Sequence, residues 1–201
     1  MGKKKRDEEK AAEASTLAAP RLRPGPGPHT LVIDIGGTGI KMITIDRDAQ
    51  PVNERARELT PKPSTPDDVL EVCEVMVAAQ PAFDRISAGF PGVVQHGVVH
   101  TAPNLGTKAW RDIDIRAAFE AMSGKRVRVA NDAELQGYGV ISCKGVELVI
   151  TLGTGLGSGL YTDGHLAPNL ELGHHPLKKG KTYEERVSNA ERKRIGNERW
   201  N

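Results

Sequence analysis

"LVIDIGGTGIKMITID", residues 31–46, decides how the rest of the chain is read. "LVIDI" alternates and is rich in β-branched residues, so it predicts a strand, and "KMITID" predicts a second. Between them Gly36, Gly37 and Gly39 are expected to make a tight turn with positive φ, leaving backbone N–H groups unshielded by side chains. Two readings follow. One is an ordinary hairpin with a glycine turn. The other is a phosphate cradle, with Asp34 near enough to hold a metal.

The same pattern returns about 115 residues later in "VELVITLGTGLGSGLYTDG". A strand, a glycine-rich turn and another strand occur twice, which predicts two similar lobes that each open with a phosphate-facing hairpin. Neither turn is a P-loop, because G-x-x-x-x-G-K-[ST] is absent. Glycines at 153, 155, 157 and 159 alternate as in a strand and do not fit the dinucleotide fingerprint G-x-G-x-x-G. Each turn also offers a threonine, Thr38 or Thr154, so two such turns can clamp phosphates from two sides.

"VANDAEL" places Asn131 and Asp132 after a strand and at the start of a helix, where the helix N-terminus favours an ionised carboxylate. Asp132 reads either as an N-cap or as a general base that takes a hydroxyl proton during phosphoryl transfer. In "NLELGHH", Glu171 and His174 lie three apart, but Gly173 and Pro176 argue against a helical metal pair. A surface loop and a loop presenting carboxylate and imidazole to sugar hydroxyls both remain open. Asn104 in "APNLG" reads as a turn cap or as an amide offered to a hydroxyl.

The remaining elements are coarser. Apolar spacing predicts a helix over 66–79, capped by Ser64 or Thr65, and a second over "DIRAAFEAMSG" that Gly124 stops. "RISAGFPGVV" predicts a strand running into a Pro-Gly turn. "HLAPNLELGHHPLKKGK" is expected to be a loop and "TYEERVSNAERKRIG" a polar helix.

Composition bounds the class. Of 201 residues, 38% are hydrophobic, and residues 1–28 hold almost none that could pack, so a disordered basic Pro/Gly-rich tail is expected there. "KKKR" reads as part of that solvated tail. This segment has no apolar core region of the kind a secretory signal needs, and no later run is long enough to span a membrane, so neither is expected. Cys73 and Cys143 are the only cysteines and form neither a metal pattern nor a disulfide framework, so a cytoplasmic enzyme is expected. The net charge of +2 hides basic ends around a middle of net negative charge, leaving no broad nucleic-acid-binding face.

Taken in order, these segments resemble the ROK group of sugar kinases and repressors, within the actin-like, RNase H-type phosphotransferases. "DIGGTGIK" is similar to its first phosphate motif and "GTGLGSG" to its second. "GFPGVV" and "APNL" resemble its sugar-side loops, "NDA" its catalytic segment and "LELGHHPL" its E-x-G-H sugar loop. The resemblance spans residues 31 to about 190. It implies a two-lobed α/β fold, with an N-terminal lobe over 29–142 and a C-terminal lobe over 143–201 that is shortened at its end. It also implies Asp132 as base, with Asn104, Asn131, Glu171, His174 and, from "TYEERVSN", Glu184 on sugar hydroxyls. Asp34, Gly36, Gly37, Thr38, Lys41, Gly153, Thr154 and Gly155 would meet the phosphoryl donor, with Asp34 assisting Mg²⁺.

Many family members carry a cysteine-rich zinc motif after the E-x-G-H loop, and "PLKKGKTYEERVSNAERKR" has no cysteine, so no structural zinc is expected. This basic, cysteine-free version resembles the branch that phosphorylates glucose, sometimes mannose, from inorganic polyphosphate, often with ATP as a second donor. A basic segment near the donor would favour a long polyanion. The alternatives are an ATP-dependent hexose kinase of the same group and an inactive shortened member. A sugar-responsive regulator would need a DNA-binding helix-turn-helix ahead of residue 29, which the tail is too short and too polar to form, so no nucleic-acid partner is expected. A homodimer is common in the group.

Overall fold

The structure, a computed structural model, describes residues 27–153, 155–167 and 170–200. The tail expected over residues 1–28 therefore lies outside the described residues except for Gly27 and Pro28. The first hairpin is formed by β1 (Thr30–Ile35) and β2 (Ile40–Ile45), paired antiparallel from Thr30↔Ile45 to Ile35↔Ile40. β3 (Ala56–Glu58) continues the antiparallel run, while β4 (Arg85–Phe90) joins the other side of β1 in parallel. After the short hairpin of β5 (Val94–Gln95) and β6 (Val98–Val99), β7 (Arg126–Asn131) completes a five-stranded sheet in the order β3-β2-β1-β4-β7.

Alternation in these strands separates two faces. Leu31, Ile33 and Ile35 point to one side and are fully buried with Ile40 and Met42. Helix α1 (Pro66–Ala78) supplies Val69, Cys73 and Met76 to the same core, and burial pushes the Cys73 thiol up to about 12. Thr65 caps α1 by accepting from the Asp68 N–H, whereas Ser64 is buried and its carbonyl accepts from Trp110 Nε1 at 2.8 Å. Trp110 ends the short helix α2 (Thr107–Trp110) and packs on Phe90 with ring centroids 4.9 Å apart. Helix α3 (Ile115–Ser123) adds Ile115 and Phe119, begins at the Asp114 cap and stops at Gly124, whose φ is +66°.

The opposite face of the sheet receives α4 (Asp132–Gly137), which crosses at Gly89, where a Cβ would stand 3.4 Å from Asp132 Cα. Helix α4 is in turn pressed against a second sheet. β8 (Val146–Leu152) and β9 (Leu156–Thr162) form the second antiparallel hairpin, and β10 (His165–Leu166) extends β9. The expected repeat of strand, glycine turn and strand is thus present. On its inner face Gly157 and Gly159 leave room for Ala133 and the Tyr161 ring, and the Tyr161 hydroxyl donates to the Glu134 carbonyl. On its outer face Val146, Leu148, Ile150 and Leu152 of the edge strand β8 are at least half exposed.

The last third departs from the sequence reading in two places. The expected loop over 165–181 contains β10, a 3₁₀ turn at Leu172–His174 and half of a small hairpin, β11 (Pro176–Lys178) with β12 (Lys181–Thr182). The expected single polar helix is broken into α5 (Glu184–Val187) and α6 (Asn189–Ile195), and α7 (Asn197–Trp200) follows it. Ser188 makes the first break, because its side chain accepts from Glu191 N–H and caps α6. Among the described residues no helix is long and apolar enough to cross a membrane.

Gly137 is where α4 and the second sheet approach most closely, since a Cβ there would stand inside the Tyr161 ring's contact distance. Gly137→Ala should therefore lower stability by about 1–3 kcal/mol through overpacking, despite alanine's better helix propensity. Urea denaturation checks this, and an unchanged midpoint would show that α4 does not bear on Tyr161.

Candidate functional site

The three parallel strands β1, β4 and β7 deliver their carboxyl ends to one place, the usual location of ligand sites on such sheets. There Asp34 lies one residue from the end of β1, Pro91-Gly92 follows β4, and Asn131-Asp132 links β7 to α4. The second glycine turn and the 171–174 loop approach from the other side. Between them lies a cleft of about 530 Å³. All thirteen sequence-predicted site residues that are described line it, and Thr154 lies outside the described residues.

Asn131 resolves the double reading of Asp132. It is Asn131 that caps α4, its Oδ1 accepting from Ala133 N–H at 2.9 Å and Glu134 N–H at 3.3 Å. Glu134 returns the favour at the Asn131 N–H, a capping box. Asp132 is thereby one residue inside the helix, its carboxylate accepting from the Ala133 N–H at 2.8 Å and from its own backbone N–H. Burial raises its pKa most, the Ala133 N–H opposes this, and the charges of Asp34 and Glu171 push it further up. Glu134, which sequence reading missed, is also buried and raised, first by burial. Its place at the third position after a cap was the available signal. Asn131 Nδ2 also donates to the Gly92 carbonyl, which leaves one amide hydrogen for a ligand.

The first glycine turn differs from expectation in its reason, not its place. Among the described residues with positive φ, Gly36, Gly37 and Gly39 are absent. They are glycines because of close approach: a Cβ on Gly36 would stand 2.9 Å from the Gly39 carbonyl, and one on Gly37 3.1 Å from Asn104 Cβ. That second contact sets Asn104 beside the turn. Thr60 and Lys62 donate to the Gly36 and Gly37 carbonyls, holding the turn from outside. Lys41 Nζ donates to Asp34 Oδ2 at 2.6 Å, both side chains roughly one-third exposed or slightly more.

On the other wall, Glu184 reaches from α5 to accept from Leu156 N–H at 3.1 Å, bracing the turn at Gly153 and Gly155. Asn189 N–H donates to the Gly153 carbonyl. Glu171 has a φ of +44°, an uncommon conformation for this residue type, and its Oε2 lies 3.1 Å from His174 Nδ1. With Nδ1 donating there, Nε2 is the ring atom available to a ligand. The loop is fixed by Leu172 N–H on Ser158 Oγ and by Gly173 against the Leu156 carbonyl. Gln136 also lines the cleft, one turn after Asp132, and helical spacing alone could have identified it.

The electrostatic balance of this cleft is unusual for a phosphate site. Asp34, Asp132, Glu171 and Glu184 line it, against Lys41 as the one Lys or Arg among the described lining residues. Among the described residues no three His, Cys, Asp or Glu side chains converge as a metal site, so a divalent cation here would be held by one or two carboxylates together with substrate phosphates.

The ROK family model matches residues 30–189. A polyphosphate glucokinase of Mycobacterium tuberculosis is 36% identical over 170 residues, covering 81% of this chain and 63% of that protein. The chain thus spans somewhat under two thirds of this relative's length. Among solved structures, the inorganic polyphosphate/ATP-glucomannokinase of Arthrobacter sp. strain KM superposes with a TM-score of 0.73 at 41% identity, over 84% of this chain and 71% of that one. A ROK family glucokinase from Streptomyces griseus, in complex with glucose and AMPPNP, gives 0.70 at 25% identity, over 83% and 59% respectively. The two-lobed, actin-like α/β fold expected from the sequence is the fold these kinases share.

The raised Asp132 pKa has a consequence for stability. Protonated Asp132 is accommodated at low pH, and stability falls as pH rises through the folded-state pKa, because ionisation is easier in the unfolded chain. Asp132→Asn keeps the side-chain acceptor and removes the charge. It should raise the thermal midpoint at pH 7, with the gap closing as pH falls below the ordinary carboxylate range. A gap that is absent, or that widens in acid, would contradict the burial argument.

Proposed function

The chain belongs to the ROK family, and on that premise we propose that it phosphorylates the primary hydroxyl of glucose from inorganic polyphosphate. The observation that carries this reading is the single cleft in which Asp132, freed from capping by Asn131, faces both glycine turns. The M. tuberculosis and Arthrobacter relatives, whose names specify polyphosphate, support the choice of donor. ATP as an alternative donor, and mannose as a second acceptor, are part of the proposal, supported by the name of the Arthrobacter protein.

In this reading Asn104, the remaining amide hydrogen of Asn131, Glu171 and His174 Nε2 hold the sugar hydroxyls and orient the primary one toward Asp132. Glu184 braces the second glycine turn with one oxygen, leaving the other for the sugar. Asp132 accepts the hydroxyl proton as the sugar oxygen bonds to the terminal phosphorus and the bond from that phosphorus to its bridging oxygen breaks. The leaving oxygen departs with the shortened donor. A carboxylate with a raised pKa is a stronger base than an ordinary aspartate, which suits the task. Backbone N–H groups at Gly37, Thr38 and Gly155, with Lys41, would steady the donor oxygens, while the Gly36 and Gly153 N–H groups shape the turns by donating to the Gly39 and Gly155 carbonyls. Asp34 fits Mg²⁺, which would neutralise donor charge in a cleft otherwise rich in carboxylates. The chain divides, in this reading, into lobes over 29–142 and 143–201 that close on the sugar.

Glucose phosphorylation by the purified chain, with polyphosphate and ATP side by side, tests the proposal. Product from polyphosphate is the expected outcome, and product from ATP alone would overturn the donor. A folded chain giving product from neither would overturn the kinase reading for this chain and favour an inactive family member. Where there is activity, Asp132→Asn should lower kcat by about two to four orders of magnitude with glucose affinity kept. Near-normal turnover would remove Asp132 from the role of base.

A further inference from the structure

The carboxylate-lined cleft accommodates the reacting end of a polyphosphate, but a long polyanion must continue elsewhere, over unpaired cations. The sheet provides such a place beside the first glycine turn. Register pairs Asp34 with Lys41 and Lys41 with Arg57, so these three side chains form one row across β1, β2 and β3 on a single face. β3 is the edge of the five-stranded sheet, and the row therefore runs from the cleft to solvent. It covers two strand spacings, about 10 Å.

The Arg57 guanidinium lies against the turn, its Nε 3.2 Å from where a Cβ on Gly39 would stand. Lys62 flanks the same turn, its Nζ donating to the Gly37 carbonyl at 3.1 Å and to Ser64 Oγ at 3.3 Å. Both residues are exposed, and neither forms an ion pair with a described residue. Lys62 retains one ammonium hydrogen and Arg57 its planar fork, both suited to phosphate oxygens.

The basic segment over 178–201 is a weaker path than its charge implies. Glu191 binds Arg194 through both oxygens at 2.5 Å and has Lys181 at 4.0 Å, so part of that positive charge is already matched.

We propose that Arg57 and Lys62, continuing the row from Lys41, form a polyphosphate track that leads the unreacted part of the donor out of the cleft over β2 and β3. The track deepens the polyphosphate-kinase reading above and rests on it. A nucleotide ends in a sugar and base after three phosphates and gains little from cations at the sheet edge. Arg57 and Lys62 therefore favour long donors over short ones.

Titration calorimetry on the full chain with long-chain polyphosphate, tripolyphosphate and ATP, at several salt concentrations, tests this. The variants are Arg57→Gln, Lys62→Gln and the double substitution, with Arg57→Lys as the charge-keeping control. The double variant should bind long polyphosphate about tenfold more weakly, with the log–log salt slope reduced by about 1.5. For Arg57→Gln, tripolyphosphate and ATP should change by less than about twofold; Lys62 also holds the first glycine turn, so its variants should weaken all three ligands in part. Arg57→Lys should retain the slope. Equal losses for all three ligands in Arg57→Gln, or no loss for long polyphosphate in the double variant, would overturn the track while leaving the kinase reading intact. A wild-type chain that binds ATP but no polyphosphate would overturn the polyphosphate reading and the track together.

Discussion

The arrangement around the cleft depends on a hydrogen-bond exchange at the start of α4. Asn131 satisfies the N–H groups of Ala133 and Glu134, and Glu134 satisfies that of Asn131. Without this cap, the neighbouring carboxylate would be the natural group to satisfy the same donors. With it, Asp132 is held one residue into the helix, at the junction of the two sheets. A capping interaction of ordinary strength thus decides which of two adjacent polar side chains is structural.

Close approach then holds that helix in place. Gly89 lets α4 descend onto the first sheet, and Gly137 and Gly157 let it meet the second. Glycine at these positions removes a Cβ that would otherwise separate packed layers, and the same reason explains Gly36 and Gly37 in the first turn. The two hairpins resemble each other in strand pairing, but their surroundings differ. β1 has β4 on its free edge and helices on its inner face, whereas β8 is an edge strand with an exposed apolar row. A sheet face of that kind is normally covered by another layer.

Electrostatics sets the cleft apart from the rest of the surface. Burial holds Asp132 and Glu134 away from their ordinary ionisation, and nearby carboxylates reinforce the effect. Such a cluster opposes folding near neutral pH and favours cationic company. Asp34 has that company in Lys41, and the row continuing to Arg57 extends positive charge outward from the one lysine among the described residues that line the cleft.

Much of this was legible in the sequence because it is local. Alternation predicted β1, β2, β4, β8 and β9, the spacing of Val69, Cys73 and Met76 predicted α1, and the order of short motifs pointed to the ROK group and to the residues that line the cleft. Local pattern also held unused signals: Ser188-x-x-Glu191 marks the break between α5 and α6, and the position of Glu134 marks the capping box. Other features depend on which strand faces which. That Glu184 braces Leu156 from 28 residues away, that Asn104 lies on Gly37, and that Arg57 extends the Asp34–Lys41 row follow from register and layer packing. Sequence by itself determined the main strands and helices, the family and the set of chemical groups. Tertiary structure decided where Glu184, Asn104 and Arg57 are placed and why the glycines are needed, because these depend on distances between segments that no local pattern encodes.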